Sequence, residues 1–291
     1  MSKEIANPEK TFEDALAAAV SMPGVCVDRE AFLRSSLRKY FDAQMVDAAI
    51  ERTPAQAGMP LDQIKRIANE SINFETAKVT ALSTVAGIPG GLAMLGTVPA
   101  DLAQYYAHVL RVVQKIAYLY SWPGLFDENG EMDDGTKSML TLFLGIMSGV
   151  EMAGQGVNNV AKGLAAGVAK KLPQKALTKG TVYPIVKKVA GYLGVQMSKQ
   201  TFAKGVSKAV PIIGGAVSGS LTFATFRPMS AKLRDYLAGL PLADPARQAA
   251  DSAGDSPEAD TVVEVAADVV DVDPVVPADA PKDGSQPAAT D

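Results

Sequence analysis

The sequence predicts an all-α protein, a multi-helix bundle with Gly/Pro-broken apolar helical hairpins and a disordered acidic C-terminal tail. Three observations lead there. Apolar residues recur at helical spacing, most regularly at Leu102, Tyr106, Val109, Val113, Ile116 and Tyr120. Hydrophobic residues make up 47% of the 291-residue chain and aromatics only 6%, a mixture rich in Ala, Gly and Val that suits close-packed helices. Capping residues and Pro/Gly breaks punctuate the chain at intervals that match helix lengths.

Taken in order, Asn7-Pro8 opens a first helix that carries Phe12, Leu16 and Ala19 and stops near Pro23-Gly24. Asp28 caps a second through Phe32, Leu33 and Leu37. A third runs near 42–52 and ends before Pro54. After Gly58-Met59-Pro60, a fourth carries Leu61, Ile64, Ala68 and Ile72. Residues 1–59 thus form N-terminal helices and 60–240 the main helical domain. Pro99 and Asp101 start the amphipathic helix, with Gln104, His108, Arg111 and Lys115 on its polar side, and Trp122-Pro123-Gly124 ends it. A helical region over 136–172 follows, with glycines four apart at 145/149 and 163/167 that would let helices approach closely. Pro173 and Pro184 divide lysine-bearing helices, and a last helix carries Met229, Leu233, Tyr236 and Leu237 up to Gly239. From 241 to 291 low complexity, absent aromatics and high charge predict disorder.

Two segments stand out by having no charge. Residues 79–100 are long enough to span a bilayer, but Gly87, Pro89, Gly90, Gly91 and Gly96 interrupt any continuous helix. Residues 209–226 repeat the chemistry, with Pro211, Gly214, Gly215 and Gly219. Both read as bent hairpins rather than spans.

The net charge of −4 conceals a segregation. Residues 241–291 hold 12 acids and 2 bases, leaving 20 acids and 26 bases in 1–240. Between Glu151 and Asp235 there is no acid but 13 bases, among them Lys162, Lys170, Lys171, Lys187 and Lys188. Such a stretch predicts a basic face able to meet an anionic surface, or equally a solvated face that serves solubility. The acidic tail is a candidate shield for it. The N-terminal MSKEIANPEK has no apolar run and does not read as a signal peptide, and a single cysteine, Cys26, suits a reducing compartment. Cys26 itself reads as a small buried residue or an idle thiol.

Catalytic signatures are sparse. One histidine, His108, and one cysteine cannot build a zinc site of those ligands. There is no P-loop, and the calcium-like start at Asp127, Asn129 and Glu131 lacks the required Gly and terminal Glu. Sparse aromatics among the lysines, and scarce arginine, disfavour nucleic acid. No catalytic, metal or cofactor residue is predicted.

The block from Ala81 to Tyr120 resembles the EcsC family of bacterial proteins. The likeness rests on Gly87–Gly91, Pro99-Ala100-Asp101-Leu102 and Ile116-Ala117-Tyr118-Leu119-Tyr120, with PIIGGAVSG at 211–219 resembling that family's second Pro/Gly segment. The family usually has Gly after the last Tyr, where this chain has Ser121. The resemblance covers about residues 60–240 and implies an all-helical protein with no established catalytic activity. A gene neighbouring an ABC exporter gives the family its name, which implies exporter-related or envelope partners. The leading expectation is therefore a cytoplasmic, non-enzymatic helical protein held peripherally at the inner face of a bacterial membrane. The alternatives are a soluble scaffold or partner-binding protein, and a lipid carrier or hydrolase with a cleft around Asp101, Tyr105 and His108.

Overall fold

A computed structural model describes residues 7–86, 100–126, 130–167, 171–207 and 214–252. Among these the chain forms eleven α-helices, one short 3-10 turn and no strand. In order they are α1 (Pro8–Val20), α2 (Arg29–Leu37), α3 (Ala43–Glu51), α4 (Leu61–Ala86), α5 (Ala100–Leu119), α6 (Asp134–Met147), α7 (Glu151–Ala165), α8 (Gln174–Thr178), α9 (Tyr183–Ser207), α10 (Gly214–Ala238) and α11 (Pro245–Ser252).

The caps form as the sequence predicts. The Asn7 side chain accepts from the Glu9 N–H at 3.1 Å and the Asp28 carboxylate from the Ala31 N–H at 2.7 Å. Asp42 does the same for Met45 at the start of α3. Arg29 then ties α2 to the far end of α3, donating to the carbonyls of Ile50 and Arg52 at 3.0 and 3.1 Å. A cation at that end also complements the helix dipole.

Helix α5 lies at the centre, against α1, α2, α4, α6 and α10. One continuous apolar core joins Phe12, Leu16 and Leu33 of the N-terminal helices to Leu110, Val113, Phe143 and Leu237. The boundary expected at residues 59 and 60 therefore does not separate two cores. The most extensive pairing joins α4 and α10. Arg227 on α10 donates to Asn73 on α4, Arg234 to Asn69, and Asp235 pairs with Lys65. Residue numbers rise on one helix as they fall on the other, so the two run antiparallel. Ala86, where α4 ends, and Gly214, where α10 begins, thus lie at the same end of the bundle. Ala100 of α5 returns from that end as well.

Several expected boundaries shift. The region 136–172 holds two helices, because Gly149 at φ +80° closes α6, its N–H donating to the Ile146 carbonyl and the Val150 N–H to the Gly145 carbonyl. Gly145, in contrast, admits Val189 and Ala153, which a Cβ would meet at 2.6 and 2.7 Å. Of the two glycine pairs only this residue serves close packing, since nothing lies within 4 Å of a Cβ at Gly163 or Gly167. The last helix starts earlier than expected, so 214–226 is the first half of α10. The first residues of the predicted tail are folded: Leu242 and Ala243 are buried, the 3-10 turn they form packs on α7, and Asp244 caps Ala246 ahead of α11.

Candidate functional site

Among the described residues, the densest charge cluster is built between α4 and α5. Glu75 is fully buried on α4. Three bases from α5 converge on it: Lys115 Nζ at 2.5 Å, His108 Nδ1 at 3.3 Å and Arg111 Nε at 3.5 Å. They stand at spacings of three and four, one turn apart on one helix face. Burial pushes the Glu75 carboxyl up, but hydrogen bonds from His108 and Lys115, with the charges of Lys115 and Arg111, win and bring it down to about 2. Burial likewise pulls the Lys115 ammonium down, and Glu75 partly restores it.

The polar side of α5 is therefore only partly solvated: at His108, Arg111 and Lys115 a carboxylate from the neighbouring helix closes it. Glu75 was missed in the sequence, yet its signal is there. The apolar stripe Leu61, Ile64, Ala68, Ile72 continues at 75 and 79, and a glutamate occupies a position that should be apolar.

Outside the buried pairs lies an open cleft of about 270 Å³. Lys78, Gln104, His108 and Arg111 form one side, and the turn Met22–Val25 forms the other. That turn is fixed by Gln114, a fully buried side chain on α5. Its amide donates to the Val25 carbonyl at 2.8 Å and its oxygen accepts from the Val27 N–H at 2.8 Å. A Cβ at Gly24 would sit 3.4 Å from Arg111 Nη1, so the turn lies directly against the guanidinium. Phe74, 54% exposed, stands beside the cleft with Lys78 Nζ 4.4 Å and Lys115 Nζ 5.2 Å from its ring centre. No serine, threonine or cysteine is among the lining residues.

The cleft lies just inside the uncharged end of the bundle. Lys78 is the last charged residue on α4, about 12 Å of helix before Ala86. On α10 the first charge is Arg227, about 20 Å of helix after Gly214. On α5, Asp101 is the one charge before His108 and Arg111. The cations Lys78, Arg111 and Arg227, with His108 beside them, thus border an end whose flanking segments carry almost no charge.

The other predicted site residues divide sharply. Gly87, Pro89, Gly90, Gly91, Pro99, Pro211 and Lys170 lie outside the described residues, as does the tail from 253 onward. Asp101 falls in the first turn of α5, and Gly214 and Gly215 open α10. Lys162, Lys171, Lys187 and Lys188 are all exposed. Lys187 and Lys188 occupy the start of α9, about 30 Å of helix from its end at Ser207. Lys187 also lies 3.9 Å from Glu9 of α1, so an acid-free stretch of sequence is not an acid-free surface. Tyr105 and His108 do not face one cleft. Tyr105 turns toward α10, edge-on to Phe226 with ring centres 6.3 Å apart, while His108 turns to α4. Cys26 is exposed, not buried.

Tyr120 is buried at the last position of the α5 turn, and burial raises its hydroxyl strongly. Ser121 follows at φ +71°, the sole non-glycine in that region among the described residues. The Trp122 N–H bonds the Ala117 carbonyl and the Ser121 N–H the Tyr118 carbonyl, a Schellman closure whose left-handed residue is ordinarily glycine. Here the serine hydroxyl oxygen accepts from the buried Ala55 N–H at 3.0 Å, which offsets the backbone strain.

No family model matches the chain, and neither a curated protein nor a solved structure resembles it measurably. Among the described residues no helix is long and apolar enough to cross a membrane.

Proposed function

We propose that this chain is a non-enzymatic helical protein that attaches peripherally to an anionic membrane surface through the uncharged end of its bundle. The observation that carries the reading is the antiparallel register of α4 and α10. It brings the ends of both helices that border the uncharged Gly/Pro segments to one place. Apolar segments presented together can enter the headgroup boundary at a shared depth, and burial of apolar area scales with how many do so. Lys78, Arg111 and Arg227 then stand where an apolar insert gives way to headgroups, each worth about 1 kcal/mol near an anionic surface. On the resemblance to the EcsC family, the membrane is a bacterial one approached from the cytoplasm, and exporter-related or envelope proteins are the partners.

Flotation of the full chain with lipid vesicles tests this. Protein should rise with vesicles of phosphatidylcholine containing phosphatidylglycerol, not with phosphatidylcholine alone, and high salt should release much of it. Leu95→Asp and Ile212→Asp, one charge in each uncharged segment, should each reduce the floated fraction severalfold. Equal flotation of wild type and both variants, or no flotation at all, would sink the reading.

A further inference from the structure

We infer that the cleft between α4, α5 and the Met22–Val25 turn is a binding site for a phosphate group, gripped by Lys78 and Arg111 beside His108. Charge is the first argument. Glu75 offers one negative charge to a neighbourhood that holds Lys78, Arg111 and Lys115, besides His108. Lys115 is buried against the carboxylate and consumes it at 2.5 Å. Lys78 has no carboxylate partner among the described residues; its ammonium rests over the Phe74 ring instead. Among the described residues the cleft therefore carries surplus positive charge, with its one acid already engaged.

Geometry is the second. Arg111 meets Glu75 through Nε, which leaves the outer edge of its fork directed along the Gly24 turn at the cleft wall. A guanidinium edge matches the spacing of two phosphate oxygens, and a lysine adds a mobile point charge. His108 meets Glu75 through Nδ1, leaving Nε2 as the second ring nitrogen on a cleft-lining residue. The wall opposite is held by the buried Gln114, so the site is built before any ligand arrives. Its volume, about 270 Å³, is below the usual range for small-molecule pockets of roughly 300–1,000 Å³, and it is open. That size suits a headgroup or an inorganic anion rather than an enclosed metabolite.

The same chemistry could come from a free phosphate or from an anionic phospholipid. The second source rests on the membrane reading above, because Lys78 stands where the uncharged segment begins. His108 is the single histidine of the chain, so its imidazole signal reports on this cleft alone. The experiment follows that signal by NMR in the full-length protein, titrated first with inorganic phosphate in chloride buffer. The second titration uses phosphatidylcholine vesicles with and without phosphatidylglycerol. Wild type should show a saturable shift. Lys78→Gln should weaken the apparent affinity about tenfold, and Lys162→Gln, an exposed lysine elsewhere, should change it less than twofold. A response to phosphate without vesicle binding supports the cleft, makes the free anion its ligand and overturns the membrane reading. A response to phosphatidylglycerol vesicles that Lys78→Gln weakens supports both. Vesicle flotation with an unmoved His108 signal overturns the cleft and leaves the membrane reading standing. No response in either titration, or equal loss in both lysine variants, overturns the phosphate site.

Discussion

Two groups of ion pairs in this protein share their chemistry and differ in burial. Between α4 and α5, Glu75 is sealed among His108, Arg111 and Lys115. Where α1 meets α6 and α9, Glu13 pairs with Lys137 at 3.0 Å and Glu9 with Lys187 at 3.9 Å, all four partly exposed around a depression that Asp134 also lines. In the first group the acid has no solvent to fall back on, and bases outnumber it. In the second, water and neighbouring charges of both signs screen every pair. The first should therefore govern folding and leave a residual positive field, while the second should do little of either.

The largest effect is expected from Glu75→Gln. It leaves the buried Lys115 without a countercharge and takes from the half-buried Arg111 its acidic neighbour, and a loss of about 3 kcal/mol is expected in urea unfolding. The pH dependence carries its own signature. The folded carboxyl sits at about 2 against an ordinary 4.5, so its stabilisation is complete above 4.5 and disappears as pH falls toward 2. Wild type should lose stability through that window, and Glu75→Gln should show a smaller slope there. A variant as stable as wild type at pH 7 would show that the cluster is not the buried keystone described.

A smaller effect belongs to the α5 terminus. Ser121→Ala keeps the left-handed backbone and deprives the buried Ala55 N–H of its acceptor, for an expected loss of about 2 kcal/mol. Ser121→Gly loses the same acceptor but relieves the backbone strain, so it should fall short of the alanine variant by about 1 kcal/mol. If glycine is the more damaging of the two in thermal unfolding, the strain argument fails. The smallest effect is assigned to the exposed group: Lys187→Ala should change stability by less than about 0.5 kcal/mol. A loss comparable to that of Glu75→Gln would erase the distinction between the two clusters.

Local signals in the sequence carried much of the fold. Asn7 and Asp28 announced two helix starts because a capping side chain acts on backbone groups two or three residues away. The site was far less legible. His108, Arg111 and Lys115 are legible as one polar helix face. A single helix cannot reveal what covers it. Glu75 lies 33 residues before His108 in the chain, and only the return of α5 along α4 brings them together.

The two uncharged segments show the same division. Composition alone determined their lengths, their freedom from charge and the glycines and prolines that make a simple span implausible. It also determined that acids are missing from Glu151 to Asp235. Tertiary structure decided that the helix ends bordering both segments share one end of the bundle, because Asn73 meets Arg227 and Lys65 meets Asp235. It likewise decided that Lys187 has an acid beside it while Lys78 does not among the described residues. Spacing within a helix follows from local backbone geometry, so a sequence can display it. The sign of a surface and the occupant of a buried charge depend on which distant segments pack together, and that is settled by the fold of the whole chain.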